Sequence, residues 1–434
     1  MDLTFKALLT GLCLFSFVSA TILFCLYHRH NTSKTVDKKV GKQILHGALS
    51  ATREEAFHSK AVNDASEISA DLSAASTNAI VHYAYQDGFE CFSEGTIPGT
   101  RSSTCVCKKG WNGLDCSIPD AVWFTESFKI WYSMGLIRRR SRPRTIISGL
   151  VFNHELDLLE IRVKELGDAV DYYLVVESTY TYSGLEKPLH LRSNLSAGFL
   201  REHAHKIVPI SVDFYNYDEG NPWGPENYLR TSVWYEGHRR LQNISDDDLF
   251  IMSDADEIPS RDVVLFLKHH DGYGEPILLS LRWFVYGFFW ENRVPVNVSG
   301  VCTVAFMREV YGNDALRLRS VTTFTTTYMN NIWNTGTFSE MWIIQGTSPR
   351  YAGWHCSWCF EAEGIQVKLA AAQRDDGVRW GDIAEKTDLG YINSLRKRGY
   401  FFDESGPLER CDAYDAAPAY VRENAERYRW LMRP

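Results

Sequence analysis

The sequence has no surplus of positive charge. Its 46 Lys and Arg are outnumbered by 54 Asp and Glu, giving a net charge of −8 and a pI near 5.9. That excludes non-specific nucleic-acid binding as a main role, because such binding needs basic side chains to replace condensed counterions. The one basic cluster, Arg138, Arg139, Arg140, Arg142 and Arg144, is local and reads as a solvated linker ahead of a strand. No repeat of solenoid period is visible, which excludes a stacked-repeat architecture. Aromatic residues are scarce only from about His28 to Glu90, where Ala, Ser, Thr, Asn and charged residues dominate before Tyr83. Such a stretch buries little surface and reads as a stem or weakly helical spacer over residues 28–88. Elsewhere the material for a core is present: the chain is 45% hydrophobic and 13% aromatic. Its 434 residues give two or three folding units as the expectation.

Ahead of the stem, Ala7 to Tyr27 form 21 consecutive uncharged and mainly apolar positions, enough to cross a bilayer as a helix. A cleaved signal peptide competes, because Val18-Ser19-Ala20 resembles a small-residue cleavage site. The apolar run continues past that point from Ile22 to Tyr27, which favours an uncleaved signal-anchor with residues 1–6 as a cytosolic tail. Orientation is contested within the sequence. Lys6 precedes the segment while Arg29, Lys34, Lys38 and Lys39 follow it, and positive-inside counting alone places the C-terminal side in the cytosol. The cysteines and glycosylation sequons point the other way. Of ten cysteines, Cys13 and Cys25 lie in the apolar run and leave an even set of eight, and four sequons begin at Asn31, Asn194, Asn243 and Asn297. Together with a membrane segment they favour an oxidising, glycosylating compartment.

Cys91, Cys105, Cys107 and Cys116 share one short window, for which spacing alone leaves three disulfide connectivities open. The run from Cys105 to Cys116 (CVCKKGWNGLDC) resembles the C-terminal part of an EGF-like module. That resemblance, over residues 89–118, implies the pairs Cys91–Cys105 and Cys107–Cys116. The first two cysteines of a full module and an obvious calcium-ligand set are absent, so a crosslinked collar is favoured over receptor binding.

Beyond the arginine cluster, over residues 119–434, strand and helix alternate. Thr145 to Phe152 (TIISGLVF) is an apolar run of strand length; Leu159, Val163, Leu166 and Val170 follow at helical spacing, broken at Gly167-Asp168; Tyr172 to Val176 is a second strand, ending at Glu177-Ser178. This alternation predicts an α/β domain with a mainly parallel sheet. Ligands bind beyond the carboxyl ends of such strands, which makes Asn153, His154, Glu155 and Glu177 candidates by position, although an acid such as Glu155 is also favoured in a first helical turn. A third strand, Leu249 to Ser253, runs into Asp254-Ala255-Asp256-Glu257. If the extended conformation continues, the carboxylates at i and i+2 point to one side. Paired oxygen ligands suit Mn²⁺ or Mg²⁺, which neutralises charge on a departing diphosphate. The plain alternative is an acidic turn, with Ile258-Pro259-Ser260 as turn and helix start.

The acidic tripeptide after a buried strand resembles the DxD signature of nucleotide-sugar transferases with the GT-A fold. Several further segments occur together and in order: Asn153 to Leu159, Val176 to Ser178, Tyr228 to Thr231, Ser253 to Pro259, Tyr286 to Trp290, Gly353 to Phe360 (GWHCSWCF), Glu363-Gly364 and Arg379 to Asp382. Over about residues 89 to 430 the chain resembles glycosyltransferase family 17. The resemblance implies a Golgi membrane protein of type II topology with a GT-A-like domain. It also implies transfer of GlcNAc from UDP-GlcNAc, with inversion, in β1,4 linkage to the core β-mannose of N-glycans. Pro434 comes soon after the matching region, without the long C-terminal extension of some members, so the acceptor is carried over less directly than the reaction.

The roles follow from motif and chemistry. Asp254 and Asp256 are the expected metal residues, with Asp256 the direct ligand and His355 a third; Glu257 orients the pair or faces solvent. A buried structural histidine is the plain alternative for His355. Arg230 is expected at the diphosphate, its alternative being a helix-surface ion pair with Glu226. Glu177 is expected at the uridine or ribose, with Lys187 nearby. Glu363 is the expected general base, with Glu361 and Asp382 as rivals. Arg282, Trp283, Tyr286, Phe288, Phe289 and Trp290 suit sugar faces, but aromatics at such density are more often core. Cys302, Cys356, Cys359 and Cys411 form an even set expected to make two disulfides of unassigned partners. Two other functions compete: a hexosaminyltransferase with a different acceptor, and a tethered glycan-binding protein without turnover, which has no need of both carboxylates.

Overall fold

The computed structural model describes residues 82–86, 88–99, 104–217, 221–320, 341–372, 380–402 and 406–434, all within one compact unit, Ala61–Pro434. The expected cytosolic tail, signal-anchor and nearly all of the stem lie outside the described residues, as do the sequon at Asn31 and Arg379. Among the described residues no helix is long and apolar enough to cross a membrane.

The cysteine-rich collar consists of two small hairpins, Tyr83–Gln86 with Phe89–Phe92 and Trp111–Asn112 with Ile118–Pro119. It carries the disulfides Cys91–Cys105 and Cys107–Cys116, the pairing implied by the EGF-like resemblance. Phe92 and Ile118 are buried in the same hydrophobic cluster as the main body. The arginine cluster corrects the expectation of a solvated linker. Arg139 bonds Glu90, Arg140 bonds Asp271 at 3.0 Å, and the buried Arg144 bonds Tyr273. Glu90 of the collar and Asp271 of the short strand His270–Asp271 pin Arg139 and Arg140, whereas Arg138 and Arg142 are exposed as expected.

The body is a mixed sheet flanked by helices. β1 (Ile146–Phe152), α1 (Leu156–Leu166), β2 (Tyr172–Ser178), α2 (His190–Ser196), β3 (Ile207–Val212), α3 (Gly224–Gly237) and β4 (Leu249–Met252) form its N-terminal half. β5 (Glu257–Pro259), α4 (Arg261–His269), β6 (Ile277–Val285), β7 (Val296–Thr303), α5 (Ala315–Arg319), β8 (Trp342–Ile344), β9 (Gly353–Ser357) and α6 (Ala362–Ala371) follow. The strand order is β5-β9-β6-β7-β4-β1-β2-β3, with β8 beside β6. β3, β2, β1 and β4 are mutually parallel. β7 runs antiparallel to both β4 and β6, β9 is parallel to β6, and β5 antiparallel to β9.

Every residue of β1 is buried. That is why it reads as an unbroken apolar run: a parallel strand covered on both faces has no solvent side to mark with polar residues. Gly149 in β1 lies where α3 approaches; a Cβ there would come 2.5 Å from Val233 and 2.6 Å from Phe250. α1 ends at Gly167, whose φ of 51° stops the helix at the break expected from sequence.

The C-terminal half corrects one cysteine expectation. Cys356 and Cys359 close a disulfide across the residue pair Ser357-Trp358, but Cys302 and Cys411 are both free. Cys302 is buried in the cluster under β7 and α3, while Cys411 packs at the edge of a different cluster beside Arg282. The aromatic segment follows its core reading: Tyr286, Phe288 and Phe289 are buried, and Arg282 forks onto Glu291 at 2.6 and 2.7 Å.

Candidate functional site

Three parallel strands bring their carboxyl ends to one edge of the sheet. β1 leads into Asn153-His154-Glu155, β2 ends on Glu177-Ser178, and β4 leads into Ser253-Asp254-Ala255-Asp256. The backbone does not stay extended after β4. It turns at Ala255-Asp256, where the Glu257 N–H donates to the Asp254 carbonyl (3.1 Å) and the Asp254 N–H to Glu257 Oε2 (2.9 Å). Asp254 and Asp256 therefore do not project side by side from a continuing strand, which corrects the expectation. The plain alternative holds in the acidic turn itself and in Ser260, which directly precedes the helix at Arg261, but Ile258 and Pro259 belong to strand β5.

Arg162, on α1 and wholly buried, holds that turn. Its Nη1 donates to the carbonyls of Asp254 (3.0 Å) and Glu257 (2.7 Å), and its Nη2 to the hydroxyls of Ser148 and Ser253. The peptide carbonyls face inward to a guanidinium, and the two carboxylates stay partly exposed, 24% for Asp254 and 12% for Asp256.

Each carboxylate meets different cations. Asp254 accepts from Arg230 Nη2 (2.8 Å) and Arg319 Nη2 (3.0 Å). Arg230 also pairs with Glu226 at 2.7 Å, the helix-surface pair considered from sequence, so one guanidinium serves both acids. Asp256 accepts from Lys368 Nζ of α6 at 2.9 Å. Burial alone would raise both aspartates, but Arg230 and Arg319 hold Asp254 well below the usual carboxylate range, and Lys368 then His355 hold Asp256 below it. Glu257 is 1% exposed, and burial pushes its carboxyl up despite Arg319 at 2.6 Å.

His355 lies on β9, in register opposite Glu257. Its Nε2 is hydrogen-bonded with Ser357 Oγ at 2.6 Å, while its buried Nδ1 has no hydrogen-bond partner and stands 3.7 Å from Glu257 Oε1. The Cys356 N–H donates to the Asp256 carbonyl (2.8 Å), tying β9 to the acidic turn. Among the described residues, the group of three potential metal ligands whose donor atoms lie within 4.8 Å of one another is His82, Glu94 and Asp168. Asp254, Asp256 and His355 are not such a group; His355 faces Glu257. The donor types nonetheless fit a divalent cation: two ionised carboxylates and, one residue pair away, an imidazole nitrogen left unpartnered.

The other expected residues are placed as follows. Glu177 is buried and accepts from the N–H groups of Leu191 (2.8 Å) and Arg192 (3.2 Å) at the start of α2, with Lys187 Nζ 3.7 Å away. Its carboxylate is thus already engaged at a helix N-terminus. Lys187 also donates to the Asn153 carbonyl at 3.2 Å, linking the ends of β1 and β2. Glu155 Oε2 accepts from the N–H groups of Asn153 and His154, the helix-start role allowed for it. His154 stacks on Phe360 with centroids 4.7 Å apart, and its Nε2 is 3.2 Å from the Gly364 carbonyl. Glu363, Glu361 and Asp382 are all exposed. From α6 it is Lys368, not Glu363, that reaches Asp256. Sequence reasoning missed Arg162, Arg319 and Lys368. The available signal was a basic residue among the apolar positions of α1 and, for Lys368, helical spacing of four from Gly364; Arg319 carried no signal.

The model of glycosyltransferase family 17 matches residues 127–300. Rat (Rattus norvegicus) and mouse (Mus musculus) proteins named beta-1,4-mannosyl-glycoprotein 4-beta-N-acetylglucosaminyltransferase are each 39% identical over 341 residues, covering 77% of this chain and 62% of each relative. The human (Homo sapiens) protein of the same name is 39% identical over 333 residues, covering 76% of this chain and 62% of the relative. The chain thus spans less than two thirds of the length of the curated relatives it matches.

Proposed function

On the premise that residues 127–300 carry a glycosyltransferase family 17 domain, we propose that this chain transfers GlcNAc from UDP-GlcNAc in β1,4 linkage to the core β-mannose of N-glycans. The reaction is metal-dependent and inverting, on a GT-A-like domain. The carrying observation is the acidic turn at the carboxyl end of β4, whose two partly exposed carboxylates meet Arg230, Arg319 and Lys368. The mammalian relatives' name supports the transferred GlcNAc and the mannosyl-glycoprotein acceptor.

Asp254 and Asp256 would hold Mn²⁺ or Mg²⁺, with His355 the nearest nitrogen donor, and the cation would supply charge neutralisation to the leaving diphosphate. Arg230 and Arg319 present guanidinium groups to the same anion. Glu177 and Lys187, at the neighbouring strand end, border the proposed nucleoside side. Inversion requires a base for the acceptor hydroxyl proton. Glu363 is the proposed base: it is exposed on the first turn of α6, the helix whose Lys368 reaches Asp256. A Golgi location with type II topology is part of the proposal, with residues 7–27 as the anchor. Three disulfides and exposed sequon asparagines at Asn243 and Asn297 support a lumenal body.

The test incubates the purified protein with UDP-GlcNAc, Mn²⁺ and a panel of N-glycans, and reads product mass and linkage. The expected product carries one added HexNAc, β1,4-linked to the core mannose, and is lost on chelation or in Asp256→Ala. Turnover without metal overturns the metal role. Transfer only to another acceptor keeps the reaction class and overturns the acceptor.

A further inference from the structure

The carboxylates of Glu226, Asp254, Asp256 and Glu257 are met by the cations of Arg230, Arg319 and Lys368. The two arginines each bridge two acids, Arg230 joining Glu226 to Asp254 and Arg319 joining Asp254 to Glu257. A planar fork with two partners is fixed in place. Lys368 differs. Among the described residues its ammonium is ion-paired with one carboxylate, Asp256, and its side chain is 29% exposed. Nζ also lies 5.6 Å from the ring centroid of Trp358 and 5.7 Å from that of Phe360. These faces border the ammonium where it sits on Asp256, and its four-carbon stem lets the charge swing without moving the helix.

An ammonium bonded to Asp256 Oδ2 takes the oxygen that a divalent cation would take. A nucleotide diphosphate changes that condition, because it offers the ammonium a second anion. We propose that Lys368 is an internal counter-cation of Asp256 that makes metal binding conditional on the nucleotide diphosphate. The ammonium holds Asp256 until the diphosphate draws it away, so cation and nucleotide load together. This rests on the nucleotide-sugar reading above, and it assigns Lys368 a positioning role exerted through Asp256.

The test measures Mn²⁺ binding to the full chain in detergent, by electron paramagnetic resonance of free Mn²⁺, with and without UDP. The wild type is expected to bind Mn²⁺ weakly alone and about tenfold or more tightly with UDP, within the ordinary range of coupling between two ligands. Lys368→Met keeps the apolar stem and removes the charge. It is expected to bind Mn²⁺ alone several-fold more tightly than wild type, while the enhancement by UDP falls to about twofold or less. The coupling is reciprocal, so the effect of Mn²⁺ on UDP affinity must shrink by the same factor. Lys368→Gln, checked by its melting temperature, gives a second neutral variant should the methionine perturb folding. A merely structural lysine would lower both affinities or neither. Mn²⁺ binding by either folded variant that is no tighter than wild type, or an enhancement by UDP that survives, overturns the proposal. A wild type that binds neither UDP nor Mn²⁺ overturns the nucleotide-sugar reading as well, which separates the two failures.

Discussion

Asp254 and Asp256 stand two residues apart but answer to different regions of the molecule. Asp254 is gripped by Arg230 of α3 and Arg319 of α5, elements packed on the side of the sheet that begins with the parallel strands. Asp256 belongs to the later region: its carbonyl accepts from Cys356 of β9 and its carboxylate from Lys368 of α6. The first acid is held by rigid forks that also bind other acids, and the second by one rotatable ammonium. The difference teaches that a pair of like residues in one short motif is split between two arginine forks and one lysine ammonium. Buried guanidinium pairs lose much when one partner is removed, because the remaining charge is stranded.

The comparison can be broken in several places. Asp256→Asn is expected to cut transfer at least about 10³-fold, about 4 kcal/mol of barrier, in initial-rate assays, while its urea midpoint stays near wild type. A comparable loss of stability would erase the distinction between the two acids. Glu363→Gln is expected to lower kcat by about 10²-fold or more with Mn²⁺ and UDP binding unchanged, the range for a lost general base; an unaltered kcat passes the base role to Glu361 or Asp382. Asp254→Asn is expected to destabilise the fold by about 2 kcal/mol in urea titration, discounted from the fully buried range because the side chain is 24% exposed. The pH dependence should carry the same signature. Asp254 has its folded-state pKa depressed, so its contribution is present above the unfolded carboxylate range and lost as pH falls through the folded value. Asp254→Asn should therefore flatten the acid limb of the stability curve. The smallest effect is expected at Asp262, away from both acids, whose carboxyl burial pushes up to about 6. A raised acid favours folding below its unfolded pKa, and the advantage disappears as pH rises through the folded value. Asp262→Asn should add under about 1 kcal/mol near pH 7 and nothing near pH 4, since the group is partly solvated.

What the sequence made legible divides along the same line. β1, α1, β2 and β4 were readable because parallel strands and a packed helix leave unbroken apolar runs and a clear period. The position of the acidic turn followed from β4. Its geometry did not, because the backbone bends at Ala255-Asp256 to satisfy Arg162, a partner more than 90 residues away in sequence. Lys368 and Arg319 were invisible for a related reason: each meets its carboxylate across more than 60 residues, and such pairs leave no local period. Glu177 and Glu155 were found as strand-end acids, yet both spend their oxygens on backbone N–H groups, a use that residue type alone does not reveal. The arginine cluster was misread because its acidic partners lie in the collar and beyond α4.

Arg162 turns the acidic segment inside out, with its carbonyls toward the buried guanidinium and its carboxylates left partly exposed. For anyone transplanting this chemistry to another scaffold, the portable unit is therefore larger than three residues. An Asp-Ala-Asp graft onto a foreign strand end would bring the ligands without the peg from which they hang. The smallest faithful graft includes a helix that can deliver a buried guanidinium beneath the turn, together with the two serine hydroxyls that complete its shell.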